Sequence, residues 1–124
     1  MTLRELQEQV RHFAQERDWD QFHNPKNLSM ALAGEAGELL EIFQWLSQEQ
    51  SAAIMTDPVK AEAVRHELAD VLAYLLRLAD VLQVDLPAAL RAKIDLNARR
   101  YPADQARGRS DKYDTYDTYD TYDT

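Results

Sequence analysis

Apolar residues recur every three or four positions through long stretches of this chain, a period that fits α-helix and little else. The clearest run is Val64, Leu68, Val71, Leu75, Leu78 and Leu82. Leu3, Leu6, Val10 and Phe13 form an earlier stripe, and Leu28, Leu32, Leu39, Ile42 and Leu46 form another. Start and stop signals bracket these runs. Thr2 followed by Glu5 is a capping box, so a first helix starts there and runs to about Arg17. Asn27 is read as the cap of a second helix reaching about Gln48, after an ordered loop over residues 17–27. Asp57 before Pro58 starts a third, because proline at the first helical position sacrifices no hydrogen bond. Asp85 caps a fourth, which stops near Arg100, before Pro102. The 124 residues include only 3 glycines and 4 prolines, too few turn formers for a β-rich fold. The expectation is an all-α, four-helix bundle-like subunit with antiparallel neighbours, and a chain this short often completes its core by oligomerising.

Composition removes several functions. With no cysteine there is no disulfide framework, zinc-thiolate site or cysteine nucleophile. A formal net charge of −8 argues against a general nucleic-acid binder. No run approaches the roughly 18 apolar residues that span a membrane, and no N-terminal signal pattern is visible, so a cytoplasmic protein is expected. Residues 113–124 are four copies of Tyr-Asp-Thr. Such a segment lacks aliphatic residues and builds no core alone, so the domain is read as residues 1–112 with a low-complexity tail of no catalytic role.

The stretch "GEAGELLEIFQW" places Glu35 inside the apolar stripe of the second helix, between Gly34 and Gly37. Glu38, Glu41 and Trp45 fall on one shoulder of that stripe at about 100° per residue. On the third helix Glu67, Asp70 and Tyr74 fall together beside its stripe. If the two stripes pack, Glu35, Glu38, Glu67 and Asp70 converge. Four ionised carboxylates repel one another in a partly dry space and must protonate, pair or bind cations. No basic residue lies on the second stripe, and all-oxygen ligands select Mg²⁺, or Mn²⁺. His66 precedes Glu67 instead of following it by three, which disfavours a di-iron site. The glycines are read as leaving room for another backbone or a bulky ligand. Lys93, Asn97 and Arg100 share one polar face of the fourth helix, suited to an anion or to water alone. Trp19 and Trp45 are able to stack on a base, and His23 to touch a substrate from its loop. His12 and His66 are given no role.

Together, "GEAGELLEIFQW", "HELADVLAYLLRLAD" and "KIDLNARRYP" resemble the MazG-like all-α nucleoside triphosphate pyrophosphohydrolases. The loop "ERDWDQFHNPKNLSMAL" narrows the resemblance to the dCTP pyrophosphatase branch. It implies Mg²⁺-dependent hydrolysis of a nucleoside triphosphate, dCTP or a modified dCTP, to monophosphate and pyrophosphate. It implies Glu35, Glu38, Glu67 and Asp70 as metal ligands; the mechanism expected from this gives Glu38 and Glu41 catalytic parts, Glu41 either orienting the water or holding a second metal. It further implies Lys93, Asn97 and Arg100 as phosphate contacts, and Trp19, His23, Trp45 and Tyr74 around the base and sugar. Homodimers or homotetramers are expected by the same resemblance. Val10 stands where some relatives carry a polar residue, which bears on base choice. The alternatives are a broad-specificity hydrolase of the same type and a non-enzymatic helical dimerisation module.

Overall fold

The computed structural model describes residues 1–116 and is all-α, with no strand among those residues. The chain divides into two compact units, Met1–Val84 and Asp85–Thr124. The first unit contains α1 (Leu3–Glu16), a 3₁₀ turn (Asp20–Phe22), α2 (Pro25–Phe43), α3 (Gln48–Ala52), a second 3₁₀ turn (Ile54–Thr56) and α4 (Pro58–Leu82). The second contains α5 (Leu86–Arg100), α6 (Ala103–Ala106) and a 3₁₀ turn at Tyr113–Thr115.

Most helix starts fall where side-chain chemistry places them. Thr2 and Glu5 exchange both capping-box bonds, at 2.9 and 3.1 Å. Asp57 Oδ1 accepts from the N–H groups of Val59 and Lys60, and Asp85 Oδ1 from that of Ala88. Two boundaries differ from expectation. α2 is capped by Asn24, not Asn27: Asn24 Oδ1 accepts the Asn27 N–H at 2.9 Å, and Pro25 takes the first helical position. α2 then ends at Phe43, short of Gln48, because Ser47 and Gln50 form a second capping box that opens α3.

In the first unit α4 is the central element, packed by α2 along much of its length and by α1. The core comprises Ala14, Leu28, Ile54, Ala61, Val64, Leu76 and Ala79. The α2 stripe faces inward as expected, with Leu28 buried and Leu32, Glu35, Leu39 and Ile42 half-buried, and Leu46 is half-buried in the turn beyond the helix. The α4 stripe is only partly covered. Leu68 and Leu82 remain about half exposed, while Arg77 is buried in the helix beside Leu76.

The second unit has its own small aromatic cluster. Tyr113 and Tyr116 meet Tyr101 edge to face at 5.7 Å, and Tyr116 is buried. The Arg109 guanidinium lies 4.3 Å from the Tyr116 ring centroid, so the first Tyr-Asp-Thr copy and the next tyrosine pack on the end of α5. The rest of the repeats, residues 117–124, lie outside the described residues.

Candidate active site

The packing of α2 on α4 brings carboxylates together. Ligand oxygens of Glu35, Glu38 and Glu67 all lie within 4.8 Å of one another. Glu35 Oε2 and Glu67 Oε2 are buried with no hydrogen-bond partner. An orphaned carboxylate oxygen costs several kcal/mol unless something neutralises it. Burial pushes the Glu35 carboxyl up to about 7, and neighbouring Glu67 and Glu38, with the charge of Asp70, add to that rise. Asp70 is exposed and stands outside the close trio, yet near enough to act on Glu35. Unpartnered oxygens, negative charge and an exposed edge at Glu38 fit a hard divalent cation; Mg²⁺ and Mn²⁺ both take such ligands.

Beside this cluster lies a cavity of about 220 Å³ lined by Val10, Phe13, Ala14, Trp19, His23, Asp70, Ala73, Tyr74 and Arg77. α1 and α4 supply its walls, and the 17–24 connection adds Trp19 and His23. Phe13 meets Trp19 edge to face at 5.6 Å, and Trp19 stands 6.2 Å from the His23 ring. Burial and the adjacent Arg77 lower the His23 pKa from its ordinary value, so the ring is neutral near pH 7. Asp70 belongs to both features: it lines the cavity and its charge reaches Glu35.

Trp19, His23, Tyr74 and Asp70 are therefore brought to one cavity, and Glu35, Glu38 and Glu67 to one cluster. Glu41 is exposed on α2, one turn beyond Glu38 and outside the trio. Trp45 is 86% exposed on the turn after α2 and does not line the cavity. Lys93 and Arg100 are exposed on α5 and Asn97 is half-buried, with the Arg100 guanidinium 5.0 Å from the Tyr113 ring. Gly34 and Gly37 leave open space: among the described residues nothing beyond α2's own neighbouring backbone lies within 4 Å of an added Cβ. Sequence reasoning missed Phe13 and Arg77. Phe13 was counted as core, and Arg77 hides between Leu76 and Leu78; its one signal was Asp80, three residues on.

Comparison with known proteins gives this arrangement a context. The chain is 48% identical over 112 residues to dCTP pyrophosphatase 1 of Homo sapiens and 46% identical to that of Mus musculus. These alignments cover 90% of this chain and 66% of the relatives' own length. A pyrophosphatase from Archaeoglobus fulgidus, solved by crystallography, is similar at a TM-score of 0.74 and 39% identity, covering 80% of this chain and 91% of that one. Residues 31–115, which include the whole carboxylate cluster, match the MazG-like family, and the chain belongs to it.

Proposed function

We propose that the chain is a nucleoside triphosphate pyrophosphohydrolase that cleaves dCTP, or a modified dCTP, to the monophosphate and pyrophosphate, clearing the nucleotide pool. One observation carries this reading: buried, unpartnered oxygens of Glu35 and Glu67 sit beside Glu38, and Asp70 joins that cluster to an aromatic cavity. Relatives named for dCTP support the choice of base.

Glu35, Glu38, Glu67 and Asp70 are the ligands assigned to Mg²⁺. Bound there, the ion would neutralise an anionic triphosphate against an acidic surface and acidify a water molecule. Glu38 and Glu41 orient the attacking water and take its proton. Trp19, His23 and Tyr74 hold the base and sugar, with Trp45 contributing from its exposed turn. Lys93, Asn97 and Arg100 contact phosphate oxygens and steady the leaving pyrophosphate. Residues 1–112 form the hydrolase domain and the Tyr-Asp-Thr repeats an appended tail. Exposed Leu68, Leu72, Leu75 and Leu82 on α4 favour a dimer or tetramer.

The test is pyrophosphate release across dNTPs, NTPs and 5-modified dCTPs, with and without Mg²⁺. Mg²⁺-dependent turnover led by a dCTP is expected. Equal turnover of many nucleotides would replace the dCTP assignment with a broad-specificity hydrolase. No turnover by folded protein would favour a helical dimerisation module.

A further inference from the structure

Arg77 is 6% exposed, an uncommon place for a guanidinium. All three of its nitrogens are engaged. Nη1 donates to Asp80 Oδ2 at 3.0 Å, Nη2 donates to Asp20 Oδ1, and Nε donates to His23 Nδ1 at 3.0 Å. Asp80 also receives a two-point bond from Arg11, which holds its carboxyl below the usual carboxylate range. Two arginines and two aspartates thus balance their charges around one imidazole. The guanidinium cannot accept a proton or turn its Nε–H away without breaking the other two bonds. A ring nitrogen that accepts from it carries no proton of its own. His23 therefore keeps its one hydrogen on Nε2, and His23 lines the cavity.

We propose that Arg77 is a positioning residue that fixes His23 as the neutral Nε2–H tautomer, making this wall of the cavity a hydrogen-bond donor. The inference rests on the reading of the cavity as the nucleoside site. A donor here suits a nucleobase edge that presents an acceptor, such as a carbonyl oxygen or an unprotonated ring nitrogen. It disfavours an edge that presents N–H. Cytosine N3 is an acceptor, whereas uracil N3 bears a hydrogen, so a donor that meets N3 tells the two apart, while one that meets O2 serves both bases.

The deciding experiment is a two-bond ¹H–¹⁵N correlation spectrum of the full chain labelled in histidine, with His23→Gln assigning the His23 ring among the three histidines. The wild-type spectrum at neutral pH is expected to show a bare Nδ1 and a protonated Nε2. In Arg77→Met the pattern should move to an average of both tautomers, and KM for dCTP should rise about tenfold with kcat nearly unchanged, the loss expected of one hydrogen bond. A proton on Nδ1 in the wild type, or an unaltered pattern in a folded Arg77→Met, would overturn the proposal. Should Arg77→Met not fold, Arg77→Lys, which keeps the charge but lacks the Nε–H, takes its place in the same comparison. The ring pattern is read without turnover, so a chain inactive on every nucleotide would refute the nucleotide reading and leave this result separately legible.

Discussion

Glu35 carries a heavy electrostatic load. Its carboxyl, ordinarily at 4.5, is raised to about 7 by burial first and by its carboxylate neighbours second. A carboxyl raised on folding binds its proton more tightly in the native state. Its contribution to stability is therefore complete below 4.5 and is lost as pH rises through about 7. The melting temperature of the metal-free protein should accordingly fall across that interval. Glu35→Gln should flatten the slope, because the amide keeps the shape and removes the charge. Mg²⁺ competes with the same proton, so its stabilising effect should grow as pH rises through about 7 and be smaller in the variant. Melts at several pH values, with and without Mg²⁺, check all three expectations.

At the scale of elements, α2 carries glycines inside the helix and α4 ends on a residue ill suited to its cap. Gly34 and Gly37 stand in the interior of α2 with open space where a Cβ would go. Gly34→Ala should stabilise the chain by about 1 kcal/mol through helix propensity alone. If activity falls while stability rises, the open space serves a ligand or a second subunit. Gln83 ends α4 in the left-handed region, at φ 57° and ψ 40°. Glycine adopts that conformation without a Cβ penalty, so Gln83→Gly should also add about 1 kcal/mol in urea denaturation. Much of this level was legible in the sequence, because caps and stripes are local signals. Thr2, Asp57 and Asp85 sit where the spacing put them. Asn24 was missed because Asn27 offers the same side-chain chemistry three residues on, although Pro25 after Asn24 is the same cap-then-proline signal as Asp57 before Pro58. The short α3 was missed because the apolar stripe runs on to Leu46 and masks the Ser47 box. Arg77 was missed because its partners, Asp20 and His23, lie far away in sequence. A buried charge is invisible until its counter-charges are placed.

At the scale of the molecule, Leu68, Leu72, Leu75 and Leu82 are all more than a third exposed on a single helix. That is the face a second copy would cover. Light scattering is expected to give a mass of two or four chains, and Leu68→Asp with Leu75→Asp to reduce it. Among the described residues no helix is long and apolar enough to cross a membrane. Three carboxylates of the cluster, Glu35, Glu38 and Glu67, were legible from the sequence by their helical spacing on two helices that pack together; Asp70, read with them, stands outside the close trio. The cavity was legible only in part: Trp19 and His23 sit in a connection whose path no periodicity specifies. The central claim is that Glu35, Glu38, Glu67 and Asp70 together hold a divalent cation for triphosphate cleavage. The most direct test is pyrophosphate release from dCTP by the wild type and by Glu38→Gln over a Mg²⁺ titration, with circular dichroism on both. Release that saturates with Mg²⁺ in the wild type and falls at least a hundredfold in an equally helical Glu38→Gln, roughly what loss of one group acting in the transition state produces, is the predicted result. Equal release by both proteins, or release indifferent to Mg²⁺, would contradict it.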